Sequence, residues 1–422
     1  VTAEGSAQGD AFPLRAVAWC AAGAAVVRAA GLAAKWRDPL PLADALWYSA
    51  SAVQIAKGNG FVDPFNGGPS AEHGPLTPLV LSVVSWVDDP VPWQRLVNAT
   101  AGLATVVLIA VLAHHVAGRR AAIAGAAIAA VAPNLWLNDS AVMSESLACL
   151  LVVVAAIATW RAAGERSWSP VVVAGAAGGL ATLTRSELGL VLVGSAIVVA
   201  WAAHRASQAG ALTRAAALLG VGVLVLAPWV VANLVRFERP VLLTTNDGTT
   251  LVGANCAETY SDEAGSYGGW SLNCVLGHPS IGEDEPSVRA AAQRDAAIDY
   301  VREHLDDLPG VAIARLGRTA GVYGVGNLVD GDVGEGKARW AVWLGVFSWW
   351  LLAPLAALGV RRCDWRARAV LLVPVATVAA TAVLFYGGHR VRATMEPVVI
   401  VAAAASVGAF VGAVVDRRRA VT

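Results

Sequence analysis

The sequence predicts an all-α membrane protein of about ten spans, and three observations carry that prediction. Hydrophobic residues make up 56% of the 422 and charged residues only 15%, against about 25% charged in an average soluble domain. Mean hydropathy is +0.58. Apolar runs long enough to cross a bilayer recur along the chain, separated mostly by short loops that carry arginine. Together these exclude a soluble multidomain enzyme, a disordered chain, a coiled coil and a disulfide-rich secreted module.

The apolar runs begin near Leu14, Trp93, Ala121, Ala141, Pro170, Leu188, Ala215, Trp340, Val370 and Met395. The first has no small-residue cleavage site and reads as a retained span. A weaker run, Pro75 to Val87, is short and contains Pro75 and Pro78. The positive-inside rule decides its place. Basic residues cluster at Arg119 and Arg120, at Arg161 and Arg166, at Arg205 and Arg214, at Arg361 to Arg368, and at Arg417 to Arg419. All fall on one side only if Pro75 to Val87 lies at the outer interface without crossing. Both ends are then expected in the cytoplasm, with an even number of spans.

That topology divides the chain into an N-terminal transmembrane module (1–235) with a first outer loop (35–92), an outer loop domain (236–339), and C-terminal transmembrane helices (340–422). Within the outer domain, Val241 to Thr245 reads as β-like, followed by the turn residues Asn246-Asp247-Gly248. A helix pattern places Val288, Ala291, Ile298, Val301 and Leu305 on one face. Further on, Ile313, Leu316, Ala320 and Tyr323 line up opposite Arg315 and Arg318, the stripe of a helix lying on the outer membrane surface.

Lys+Arg and Asp+Glu are both 31, so no net charge favours nucleic acid. Lysine is confined to Lys35, Lys57 and Lys337 while Arg, Ala, Val and Gly abound, a composition of GC-rich bacterial genomes. Cys256 and Cys274 share the one long polar segment. On the outer, oxidising side of a membrane that pairing predicts a disulfide.

No Walker A, Rossmann, zinc-type or GxSxG motif is present. Polar residues concentrate on the outer side instead. Asp44 opens a helical stretch that includes Tyr48 and ends at Gly58-Asn59-Gly60, and Glu72-His73-Gly74-Pro75-Leu76 leads into the interfacial run. Alone, Asp44 reads as a helix N-terminal residue favoured by the dipole. The order of these features resembles the first outer loop of GT-C membrane glycosyltransferases, most nearly family 39, the group of protein O-mannosyltransferases and the lipid A aminoarabinose transferase. In that family an aspartate on this loop is the essential acid, and the resemblance carries the role to Asp44. Ala45 stands where many members place a second acid.

Two further stretches are similar to the family. Pro133-Asn134-Leu135 through Ser144-Glu145 resembles its second outer loop, which supplies an acid at Glu145. A capped helix start accounts for Glu145 equally well. Tyr386 to Arg392, with Glu396-Pro397, resembles its late basic loop. The resemblance implies a polyprenyl-monophosphate sugar donor, a cell-envelope acceptor (glycan, lipid or protein), contact with membrane lipid and no nucleic acid. Donor-phosphate contacts are then expected from Arg390, Arg392, His389, Arg185 and Arg236, since the guanidinium fork suits phosphate oxygens. Tyr48, His73, Asn246 and Trp270 are the expected acceptor or sugar contacts, with a turn cap the other reading of His73, loop scaffolding that of Asn246 and packing around the disulfide that of Trp270. A divalent cation, magnesium or manganese, is compatible with Asp330-Gly331-Asp332 and Glu335, a stretch that reads first as a solvated turn. The implied activity is hexosyl or pentosyl transfer with inversion, in the inner membrane of a bacterium, on its outer face. A polytopic transporter or lipid flippase is the competing reading, and would place its ionisable groups near the midplane.

Overall fold

A helix satisfies its own backbone polar groups, so apolar runs in lipid become helices. The computed structural model describes residues 11–41, 44–207, 210–262 and 265–421, with the side chains of 419–421, Arg419 among them, outside that description. The first apolar helix is α1 (Leu14–Lys35), followed by α2 (Asp44–Ala56) and the seven-residue α3 (Leu76–Ser82). At about 1.5 Å per residue α3 is far too short to cross a bilayer.

The next element, α4 (Val91–Val131), is two arms joined by a reversal, because Ala117 and Gly118 leave helical geometry. Gly118 has φ +79°, a conformation side chains disfavour. A Cβ at Gly125 would lie 3.3 Å from that of Ala113, so the arms run back along each other. There follow α5 (Pro133–Asp139), α6 (Glu145–Ala162), α7 (Ser169–Thr184), α8 (Gly189–Arg205) and α9 (Ala211–Arg236). Small residues bring α7 against α9: a Cβ at Gly175 would meet the Leu218 carbonyl, the close backbone approach that membrane helices favour.

The long polar segment after α9 is helical too, as α10 (Asn246–Ala254), α11 (Ala257–Tyr260), α12 (Leu272–Leu276), α13 (Pro286–Glu303), α14 (Leu308–Thr319) and α15 (Val325–Gly334). Glu285 caps α13 by accepting the Val288 N–H at 2.7 Å. The chain closes with α16 (Arg339–Arg362), α17 (Trp365–Leu384), short α18 (His389–Ala393) and α19 (Glu396–Val421).

Among the described residues, eight helices are long and apolar enough to cross a membrane, and Ser169–Thr184 is a shorter apolar one. With α4 counted as two arms, every expected apolar run has its helix. The central core joins Val106 and Ile109 of α4, Val153 of α6, Leu352 of α16, Leu371 of α17 and Val398 of α19. Cys256 and Cys274 are bonded.

Two local readings are corrected. Val241 to Thr245 forms no strand, and the one β-bridge among the described residues joins Val62 and Pro69. No neighbouring strand offers a ladder; instead Trp229 Nε1–H donates to Leu243 O at 2.6 Å and Thr245 N–H to Ala71 O at 2.8 Å. Asp330 to Glu335 is not a solvated turn: it ends α15, with Asp332 buried. On α14 the apolar side, Ile313 and Leu316, is exposed, while Arg315 and Arg318 are buried. Arg315 donates to the carbonyls of Val383 and Ala254, so α14 faces outward with its apolar stripe.

Candidate active site

Loops and helix ends at one face of the bundle bring together residues far apart in sequence. Asp44 starts α2, Glu145 starts α6, Arg185 follows α7 in extended backbone that stops the helix, and Arg390 sits on α18. Asp44, Arg185 and Arg390 border a cavity of about 600 Å³, with Glu145 directly behind the arginines. Asp44, Tyr48, His73, Arg185, Asn246, Tyr386 and Arg390 line it.

Arg390 is the hub. Its Nη2 lies 2.8 Å from Asp44 Oδ2, its Nε 3.0 Å from Glu145 Oε1 and its Nη1 3.2 Å from Glu335 Oε1. Arg185 reaches the same Glu145 oxygen at 3.0 Å and Glu187 at 2.7 Å. The two acids differ in access. The Asp44 side chain keeps 31% of its surface exposed and that of Glu145 only 2%, so a ligand in the cavity can touch Asp44 whereas Glu145 stands behind the arginines. Burial works to raise the Asp44 pKa, but the Arg390 guanidinium, with His73 beside it, holds the carboxyl well below the usual carboxylate range. His73 Nε2 lies 3.5 Å from Asp44 Oδ1 and its ring stacks on Tyr48 at 4.9 Å. On the other ring edge, His73 Nδ1 meets the Asn246 amide at 3.3 Å.

The other predicted residues lie elsewhere. His389 turns to Asp332, at 2.6 Å, beside Lys337. Arg392 is 1% exposed, paired with Glu396 at 2.9 Å and seated over Trp349. Arg236 braces the first outer loop by donating to the carbonyls of Phe61 and Ser70. Trp270 packs against α10 and donates to Thr249 O at 3.3 Å. Three residues at the site were absent from the sequence-derived catalytic and contact residues: Tyr386, Glu187 and Glu335. Tyr386 opens the same basic loop and Glu187 ends Leu183-Thr184-Arg185-Ser186-Glu187, so proximity in sequence was a signal for both. Glu335 entered only as a cation-compatible acid in a run that reads first as a turn.

Among the described residues no group of three or more His, Cys, Asp or Glu converges to hold a metal ion. The carboxylates are met by cations of the chain itself. Asp332 shows the same pattern: burial opposes ionisation, yet Lys337 and His389 hold its pKa below the ordinary value.

The comparisons with known proteins give this all-α bundle, with its polar cavity at one face, a membrane-embedded, glycosyltransferase-like fold of the GT-C kind. A family model described as dolichyl-phosphate-mannose-protein mannosyltransferase matches residues 72–232. The archaeal oligosaccharyltransferase AglB of Archaeoglobus fulgidus, solved with an inhibitory peptide and a dolichol-phosphate, is similar over 97% of this chain and 51% of its own, with TM-score 0.57 and 13% identity. The oligosaccharyltransferase of the same organism solved with zinc and sulfate is similar over 93% and 48%, with TM-score 0.57 and 15% identity. ArnT from Cupriavidus metallidurans bound to undecaprenyl phosphate is similar over 93% and 77%, with TM-score 0.47 and 17% identity. The chain thus spans about half the length of the archaeal enzymes it matches. No curated protein matches it by sequence.

Proposed function

We propose that this chain is an integral membrane glycosyltransferase that moves a sugar from a polyprenyl-monophosphate donor to an acceptor hydroxyl, on the outer face of a bacterial inner membrane. The observation that carries the reading is one solvent-reachable, ionised carboxylate, Asp44, beside Arg390 and Arg185 in a single cavity at the ends of membrane helices. Leu190, Leu384 and Phe385 line the same cavity, and the first two are exposed toward where lipid would lie. That edge suits a polyprenyl tail, and the polar edge at Thr244 to Asp247 suits a hydroxylated acceptor. The archaeal enzyme of the same fold was solved with a dolichol-phosphate, which supports the donor class.

The chemistry follows from the positions. An acceptor hydroxyl attacks the anomeric carbon and its proton passes to Asp44. The bond from that carbon to the phosphate oxygen breaks, and polyprenyl phosphate leaves with its electron pair. Negative charge grows on the phosphate, where Arg390 and Arg185 stabilise it. A single displacement inverts the anomeric centre. Donor phosphate competes with Asp44 for Arg390, so binding loosens the Asp44–Arg390 pair and frees the carboxylate to act as base.

Transfer of a labelled sugar from polyprenyl phosphate, run beside direct donor binding, tests this. Asp44→Asn should lower turnover by about 10²-fold or more while donor binding holds. Arg390→Ala should weaken donor binding and turnover together. Undiminished transfer by the Asp44→Asn protein removes Asp44 from the mechanism.

A further inference from the structure

The opposite face of the bundle holds a second cavity, of about 770 Å³. Arg119 marks that face, since it donates to the Ala11 carbonyl just before α1, whereas Lys35 at the far end of α1 reaches Gly336 near the carboxylate site. Arg119, Arg120 and Arg362 line this cavity together with Val116, Ile123, Ala405 and Ala409. It arises from the reversal at Ala117 and Gly118. Both arms of α4 end there, while α19 continues past them to Val421 and touches α4 through Gly408 against Ala121. The small residues at that contact leave space beside it.

Among the described residues, little neutralises these guanidinium groups. Arg120 meets Asp416 at 3.8 Å with both side chains about half or more exposed, a pair worth little in water. Arg119 donates to a backbone carbonyl and enters no ion pair among the described residues. Arg362 enters no ion pair among the described residues. Arginines at span ends ordinarily point separately to the membrane surface. Here three converge on one apolar-walled space.

We propose that this cavity binds the headgroup of an anionic phospholipid, its phosphate held by Arg119, Arg120 and Arg362 and an acyl chain lying on Val116, Ile123 and Ala405. Basic pockets between membrane helices suit acidic headgroups, and the guanidinium fork suits phosphate oxygens. The apolar wall selects a lipid over a free anion, which gains nothing from it. Such a lipid ties the α4 reversal to α16 and α19, on the face away from the carboxylate cavity and independently of its chemistry.

Thermal melting of the detergent-solubilised full chain tests the proposal, with phosphatidylglycerol, phosphatidylcholine or inorganic phosphate added. Phosphatidylglycerol should raise the melting temperature by about 2 °C or more over phosphatidylcholine, as a ligand selective for the native state does. Inorganic phosphate should give no rise. The Arg119→Gln/Arg120→Gln/Arg362→Gln protein should lose the difference between the two lipids. Ile123→Trp, which fills the apolar wall and keeps every arginine, should lose it too and guards against misfolding of the triple variant. Arg361→Gln/Arg417→Gln, outside the cavity, should keep it. An equal phosphatidylglycerol effect in the Ile123→Trp protein, or an equal effect from inorganic phosphate on the unaltered chain, overturns the proposal.

Discussion

Arg28 and Asp139 form a closed ion pair, 2.8 Å apart with both side chains under 5% exposed. Ser146 donates to the other Asp139 oxygen at 2.7 Å, and Gly102 leaves room for the carboxylate, which a Cβ there would overlap. Asp44, Glu145, Arg185 and Arg390 form an open set. Arg390 divides its donors among three carboxylates, Glu145 shares one oxygen between two arginines, and Asp44 borders the cavity. A charge with a single partner and no solvent is a brace, since losing the partner leaves it stranded. Charges that share partners beside a cavity can exchange one for a ligand.

Substitutions that strand a charge in one set and not the other test the contrast. Arg28→Met leaves Asp139 buried and unpaired and should cost about 3–5 kcal/mol of stability. Adding Asp139→Leu should recover most of that loss. Melting of both proteins in detergent decides it, and a single variant as stable as the parent would mean that the pair braces nothing. Arg185→Met should cost less, about 1–2 kcal/mol, because Glu145 keeps Arg390. Equal losses at Arg28 and Arg185 would erase the distinction.

Glu335→Gln removes one competitor for Arg390. Donor binding should tighten by about 2- to 10-fold, up to about one pKa unit's worth of energy, with little change in melting. Weaker binding would show Glu335 positioning Arg390 rather than competing for it. The smallest expected effect is that of pH. Asp44 and Asp332 have lowered pKa values, so their contribution is present above the unfolded value of about 3.9 and is lost only as pH falls through the lower folded one. Lys337 is raised: burial opposes its charge, but Asp332 and Glu335 more than offset that. Its contribution is present below about 10.4 and is lost as pH rises through the higher folded value. Melting should therefore show no midpoint from these groups between about pH 6 and 9. A midpoint in that window that Asp332→Asn abolishes would contradict the lowered value.

Much of the site was legible because polar residues are scarce in this chain. An acid or arginine at a predicted span end stands out against alanine and valine, and the resemblance to the GT-C loops singled out Asp44, Glu145, Arg185 and Arg390 among them. Pairing Cys256 with Cys274 needed only the sidedness of their loop. Residues that sequence grouped and the fold separated tell the opposite story. Arg390 and Arg392 sit two apart on α18, about 200° round a helix. One faces the cavity and the other is sealed against Glu396 and Trp349. Arg315 and Arg318 lie opposite the apolar stripe of α14, and they are buried because the chain packs on that side and leaves the stripe exposed.

By itself the sequence determined that the chain crosses a membrane repeatedly, where its helices run, and which face gathers its acids. The physical reason is that hydrocarbon tolerates only self-satisfied helices and drives charge to their ends. Only the tertiary structure decided which partner each charge keeps. That depends on the direction a helix end points and on small residues such as Gly102 and Gly408 that let segments approach, and neither is written in spacing. Asp330 to Glu335 shows the limit: a turn by composition, it becomes a helix end whose Glu335 reaches Arg390, because α15 packs Asp332 against Lys337 and His389.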